Sequence, residues 1–263
     1  ARTEFYERPA ALPDVEAASL RHDLHRRDFT INTLAVCLNP SRYGRLYDFY
    51  GGRSGLGRGL IRVLHNLSFI DDPTRILRAA RLAARLGFTI EPRTRALIAD
   101  ALEHDVLGRT TPQRIVHELR LILREEQPER ALALLDELGV LRALHPALRW
   151  TPDLAAQFAR ARAAPPPDVS LADLYLGLIV YPLSADAREA LIERYKPAAP
   201  QARLLRDISA LQERIALLQQ PGVPDSVVDR TLHGLSDGAL RAAQLAEPEP
   251  IASIIGRYLD QLR

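Results

Sequence analysis

The sequence predicts a mostly α protein, in which the end of a small mixed α/β region is followed by helices as far as the C-terminus. Three observations predict it. Strand and hairpin signals are confined to the first 64 residues. Helical periodicity replaces them after Asn66. The helical segments that follow open repeatedly with a proline near the first turn, where a missing N–H leaves no helical bond unmade.

Taken in order, Arg2-Thr3-Glu4-Phe5-Tyr6 is short and β-prone, and a proline-bearing loop follows over 9–13. In Arg26-Arg27-Asp28-Phe29-Thr30-Ile31-Asn32, Asp28 is placed to cap a short helix running through Ala35. Two apolar runs, 35–38 and 45–49, flank Asn39-Pro40-Ser41-Arg42-Tyr43-Gly44, which reads as a hairpin. Gly51-Gly52 reads as a glycine-rich turn, with a strand expected over 60–64.

The stretch Asp71-Asp72-Pro73-Thr74-Arg75 then reads as a helix from its first residue, with Asp72 as the capping acceptor, Pro73 in the first turn and Gly87 as the stop. Arginines 75, 78, 81 and 85 are spaced three, three and four apart, so they share one flank, while Ile76, Leu77, Ala80 and Ala83 supply an apolar face. Further helices are expected over 92–102, 112–124 and 128–138. An Ala/Pro-rich stretch over 161–168 reads as a stiff connector. A second helical group follows over 171–180, 185–195, 200–218, 225–232, 237–245 and 250–262. The expected division is 1–64 for the α/β part, 65–150 for a helical neck and body, and 151–263 for a helical body and tail.

The chain has 263 residues, 47% of them hydrophobic, enough for a substantial core. It contains no Met, from which we expect a piece of a longer polypeptide. Its one cysteine, Cys37, excludes an internal disulfide and a cysteine-based zinc site; we read it as inert core in an apolar strand and the compartment as a reducing cytosol. The seven histidines show no zinc-ligand spacing. No apolar run reaches the roughly 18 residues a membrane span needs. The net charge of +2 hides an asymmetry. Residues 20–124 hold 18 arginines against 10 acids, a balance of +8, while 125–263 hold 15 basic residues against 19 acids, a balance of −4. The basic part is the part with motifs, which supports a polyanionic partner.

Those motifs stand in a fixed order. Arg26-Arg27-Asp28-Phe29-Thr30-Ile31-Asn32 precedes Asp48 with Gly51-Gly52, then Leu60-Ile61-Arg62-Val63-Leu64, then Ser68-Phe69-Ile70-Asp71-Asp72-Pro73-Thr74-Arg75, then Gln113-Arg114-Ile115 with Glu118-Leu119. The series resembles the class II tRNA nucleotidyltransferase and bacterial poly(A) polymerase family over roughly residues 2–145. The resemblance implies the C-terminal remnant of a mixed α/β nucleotidyltransferase head followed by an all-helical neck, body and tail. It implies a cytoplasmic enzyme in which an RNA 3′ hydroxyl attacks the α-phosphate of ATP or CTP and releases pyrophosphate, with Mg2+ held by an Asp-x-Asp pair. That pair is expected upstream of Ala1, so no catalytic or metal residue is identifiable in this chain.

By the same resemblance, Asp72 and Arg75 address the edge of the incoming base, one as acceptor and the other as a fork of donors. Arg27, Asp28 and Asn32 handle ribose and phosphates, and Arg78 reaches RNA phosphate. The residues alone also admit a structural role: Asp72 as a helix cap, Arg75 in an ion pair with Asp71 or Asp72, and Arg27 solvated. Asp48 with Gly51-Gly52 is expected to support the site. The implied partners are nucleoside triphosphates and a tRNA or other RNA 3′ end, with no membrane. The competing functions are polyadenylation of other RNAs and a non-catalytic RNA- or nucleotide-binding module.

Overall fold

The structure, a computed structural model, describes residues 2–5, 14–17, 19–220 and 222–262. The loop expected over 9–13 lies outside them. The fold is mostly helical with a small sheet remnant, and it divides into two compact units, Ala1–Leu144 and His145–Arg263.

In the first unit, β1 (Arg2–Phe5) pairs antiparallel with β2 (Asp14–Ala17), and α1 (Leu20–His25) follows, capped by the Ser19 hydroxyl. No helix runs from Asp28 to Ala35. Thr30–Asn32 forms a 3-10 turn and Leu34–Val36 is strand β3, antiparallel to β4 (Leu46–Asp48). The reason is local: β-branched Thr30, Ile31 and Thr33 are crowded at χ1 in a helix, so the turn does not propagate. Phe29 is itself extended and bridges to Val63. Cys37 lies just past β3 and is partly exposed, so it is not core.

The glycine-rich stretch is a helix, α2 (Gly52–Gly57), where a turn was expected. The Asp48 carboxylate accepts from the N–H groups of Gly52 (2.8 Å) and Arg53 (3.1 Å) and so caps it. A Cβ at Gly52 would sit 2.4 Å from the Thr30 carbonyl oxygen, so only glycine lets α2 press on the turn that follows Asp28.

The expected strand over 60–64 is shorter, β5 (Leu60–Ile61), and it pairs in parallel with β6 (Thr89–Ile90), which has no signal in the sequence. The helix expected from Asp71 begins later. Ser68–Asp71 is a separate turn, α3, and α4 spans Thr74–Leu86. Asp72 between them is extended (φ −141°, ψ 92°), as the residue before a proline prefers. The cap itself is present: Asp72 Oδ1 accepts from the Thr74 N–H (3.0 Å) and hydroxyl (2.6 Å). Gly87 closes the helix in the left-handed region.

Helices α5 (Pro92–Glu103), α6 (Pro112–Leu123), α7 (Pro128–Glu137) and α8 (Val140–Leu144) complete the unit, the first three opening on their prolines. The apolar face of α4, with Ile76, Leu77, Ala79 and Ala80 fully buried, packs on α6 and α7.

The second unit contains α9 (Pro152–Ala163), α10 (Leu171–Val180), α11 (Ala185–Tyr195), α12 (Ala199–Arg214), α13 (Asp225–Leu232), α14 (Asp237–Ala246) and α15 (Ile251–Arg257). Helix α9 takes the first residues of the expected connector. Phe158 stacks on Tyr175 (centroids 4.1 Å) with Trp150 edge-on to Phe158. Gly177 brings α10 close to α14, where a Cβ would meet that of Ala242 at 3.0 Å. Among the described residues no helix is long and apolar enough to cross a membrane.

Candidate nucleotide-binding site

The N-terminus of α4 and the turn after α1 meet at a cavity of about 360 Å3 lined by Arg26, Arg27, Asp28, Asn32, Asp72, Arg75 and Arg78. The five residues expected at the nucleotide site, and Arg78, which was expected at RNA phosphate, are all in this lining, although about 40 positions of sequence separate the two groups. Four arginines against two aspartates leave the lining net positive.

Arg75 does not pair with Asp71 or Asp72. One Nη donates to the Ser68 hydroxyl (2.8 Å) and the other to the backbone carbonyl of Arg26 (2.7 Å), and the residue is only 6% exposed. Two of its five N–H donors are thereby used; the others have no acceptor among the described residues. Asp72 is fixed just as firmly. Its Oδ1 takes the two bonds from Thr74 and lies 2.8 Å from Nη2 of Arg114 on α6, while Oδ2 has no donor among the described residues. The pair thus presents one acceptor oxygen and several donors, one helical turn apart, to the same space.

Across the cavity, Asp28 Oδ1 accepts from the Phe29 N–H (2.9 Å) and from the Asn32 amide (2.8 Å), and Oδ2 accepts from Nε and Nη2 of Arg78 (3.0 and 2.6 Å). Burial pushes the Asp28 carboxyl up, but the Asn32 hydrogen bond and the Arg78 charge outweigh it and hold the group below its ordinary value. Arg78 also donates to Glu118 Oε1 (3.2 Å). It therefore stands as a bridge in the cavity wall, bonded to two carboxylates. Arg27 is half-exposed, 3.6 Å from Asp23, and is the most loosely held arginine of the group.

Two functional candidates were missed in the sequence. Arg114 and Glu118, an i, i+4 pair on one face of α6, reach Asp72 and Arg78 respectively. Their spacing was visible, but nothing in it named partners 40 residues away. Asp48, Gly51 and Gly52 stand outside the lining and support it through α2. A second cavity of about 360 Å3, lined in part by Gln113 and His117, shares Asp72 and Arg78 with the first.

Among the described residues no group of three or more His, Cys, Asp or Glu converges to hold a metal ion. A family model described as "Poly A polymerase head domain" matches residues 1–62, and one described as "Probable RNA and SrmB-binding site of polymerase A" matches 87–151.

The A-adding tRNA nucleotidyltransferase of Geobacter sulfurreducens is 50% identical over 152 residues, covering 58% of this chain and 17% of that protein. That of Halalkalibacterium halodurans is 32% identical over 263 residues, covering 99% and 60%. The CC-adding tRNA nucleotidyltransferase of Deinococcus radiodurans is 34% identical over 261 residues, covering 92% and 69%. The chain thus spans well under two thirds of the first two relatives.

Among solved structures, a CCA-adding enzyme in an apo form superposes with a TM-score of 0.82 at 34% identity, covering 98% of this chain and 62% of that one. A complex of CCA-adding enzyme with ATP gives 0.77 at 32%, covering 91% and 59%. The Thermotoga maritima CCA-adding enzyme complexed with tRNA gives 0.76 at 30%, covering 98% and 67%. With the motif order, the fold and the length of the Deinococcus match in agreement, the chain belongs to the tRNA nucleotidyltransferase and poly(A) polymerase family.

Proposed function

We propose that the chain supplies the nucleotide-selecting and RNA-holding part of a cytoplasmic enzyme that adds AMP, or CMP and AMP, to tRNA 3′ ends. ATP and CTP are the donors and pyrophosphate is released. The observation that carries this reading is the convergence of Arg27, Asp28, Asn32, Asp72, Arg75 and Arg78 on one net-positive cavity.

In that cavity Asp72 Oδ2 accepts from the exocyclic amine that adenine and cytosine share, and Arg75 donates to the neighbouring ring nitrogen or carbonyl. Uracil and guanine present an oxygen where the amine would be, which an acceptor oxygen repels. Arg27 meets the phosphates with charge-assisted bonds. The ribose hydroxyls fall to Asp28 and Asn32, and Arg78 holds Asp28 in place while adding positive charge. Mg2+, when bound to the enzyme, would supply charge neutralisation to the triphosphate; none of the residues described here is assigned to hold it. The names of the relatives favour tRNA over other RNAs as the acceptor.

The test is incorporation of CTP and ATP into a tRNA transcript lacking its CCA end, with magnesium, by this chain and by the full product of its gene. Incorporation by the full product is expected; incorporation by neither overturns the reading.

A further inference from the structure

We propose that a third cavity, where the segment after β5 meets the start of α5, binds inorganic phosphate in a protonated form. The cavity, of about 230 Å3, shares no lining residue with the two described above, so the site does not depend on what the first cavity holds. It is smaller than a drug-sized pocket and suits a small ion with a few waters. Its polar lining comes from Arg62, His65 and Asn66 on one segment and from Glu91, Arg93 and Thr94 on the other.

Two of these groups have unused hydrogen-bonding capacity. The guanidinium of Arg62 makes no hydrogen bond among the described residues: its Nε is buried without a partner, and the rest of the fork, on a side chain 30% exposed, has no acceptor. A partly desolvated guanidinium with none of its donors used is costly, and an accepting ligand removes that cost. Glu91 supplies the matching acceptor. Its Oε2 accepts from the N–H (3.1 Å) and hydroxyl (2.9 Å) of Thr94, whose hydroxyl also receives the Val63 N–H (3.3 Å). These bonds fix the carboxylate and leave Oε1 without a donor among the described residues. Oε1 lies 3.8 Å from Arg62 Nε, too far for a hydrogen bond. A donor fork and an acceptor oxygen, adjacent but not bonded to each other, fit a ligand that accepts from the first and donates to the second.

Charge narrows the class of ligand. Arg93 adds a second guanidinium, whose Nη2 donates to the Asn66 side-chain oxygen (2.8 Å) and so links the two segments. Burial pushes the His65 ring below its ordinary value despite Asp71, so at neutral pH two positive arginines face one carboxylate. An oxyanion suits that balance, and the free Glu91 oxygen decides which. Phosphate, still protonated near neutral pH, brings acceptor oxygens for Arg62 and Arg93 and an O–H that donates to Glu91 Oε1. Sulfate has no such proton, and neither has the phosphodiester of a nucleic acid, so each would set an anionic oxygen against the carboxylate. The acid that selects phosphate thus also turns away an RNA backbone.

The test is amide NMR of the isotopically labelled 263-residue chain, titrated with sodium phosphate, with sodium sulfate at matched ionic strength, or with single-stranded RNA. Millimolar phosphate is expected to shift the amides of 62–66 and 93–97 along a saturating curve, with sulfate about tenfold weaker or more. Arg62→Gln should lower phosphate affinity about tenfold. Glu91→Gln keeps an acceptor for Thr94 and offers an amide donor in place of Oε1, so it should bring sulfate within about twofold of phosphate. Shifts at 26–32 and 72–78 report any anion in the first cavity separately.

The amide spectrum away from the site establishes that each variant folds. Should Glu91→Gln unfold, the phosphate-to-sulfate ratio of the parent and the loss in Arg62→Gln decide. No saturating shift at 62–66 and 93–97, equal responses to phosphate and sulfate in the parent, an unchanged affinity in Arg62→Gln, a folded Glu91→Gln that still prefers phosphate, or displacement of phosphate from these amides by RNA would each overturn the assignment.

Discussion

Arg78 and Arg81 in the first unit and Arg188 in the second are arginines taken largely out of water, and they are satisfied in opposite ways. Arg81 and Arg78 share Glu118 (3.1 and 3.2 Å), and Arg78 has Asp28 as well. Arg188, 2% exposed, donates to the carbonyls of Val180 and Tyr181, to the Ser209 hydroxyl and to the Gln212 side-chain oxygen, all neutral. Burial pushes both guanidinium groups down; Asp28 and Glu118 more than reverse it for Arg78, while for Arg188 it prevails.

The difference separates a clamp from a wall. Arg188 ties the carbonyls at the end of α10 to α11 and α12, so its charge serves packing. Arg78 spans two carboxylates between two cavities, where a change in any partner alters the field a ligand meets.

The largest effect is expected where compensation is broken. Glu118→Leu leaves Arg78 and Arg81 without their shared counter-charge and should cost about 3–5 kcal/mol in urea unfolding of the first unit; a loss under 1 kcal/mol would remove Glu118 from the wall. Arg188→Met removes four neutral acceptors' partner and should cost about 2–3 kcal/mol, read as a lower melting temperature of the second unit. ATP binding should be untouched, and a change in it would erase the contrast between clamp and wall.

Arg75→Lys keeps the charge but not the fork that reaches both Ser68 and the Arg26 carbonyl. Discrimination of ATP over UTP should fall about tenfold in competitive binding, with a smaller loss of stability; unchanged selectivity would reduce Arg75 to a structural tie. The smallest effect is the acid limb. Asp28 titrates below its ordinary 3.8 in the folded chain. Its contribution is therefore complete above that value and is lost as pH falls through the lower folded one. Asp28→Asn should flatten the stability profile below about pH 4, and an unaltered slope there would show that the Arg78 contact adds nothing in acid.

How much of this was legible depended on range. Helices announced by a proline and an apolar stripe, such as 92–103 and 112–123, read within a residue or two of their ends. So did 171–180 and 185–195, which open on a serine cap. Helix α2 was not legible, because glycines disfavour helix intrinsically and it is the Asp48 carboxylate, on the preceding strand, that initiates it. The two-residue strand β6 is too short to carry a period. The motif order singled out residues that line one cavity, but their wiring was not visible. Arg75 to the Arg26 carbonyl and Arg78 to Asp28 span 49 and 50 residues, and no local pattern encodes which acceptor an arginine finds.

The hold on Arg75 has a consequence for selection itself. An unbonded arginine on a helix surface explores many rotamers, and fixing one on binding forfeits up to about 1.5–2 kcal/mol of side-chain entropy. Here Ser68 and the Arg26 carbonyl have already frozen the fork before any nucleotide arrives, and the bonds from Thr74 and Arg114 do the same for Asp72. Little entropy then remains to be lost with the correct base. If the first cavity takes a base as proposed above, a wrong base meets donors and an acceptor that do not swing to suit it, and rigidity in the empty protein becomes fidelity in the filled one.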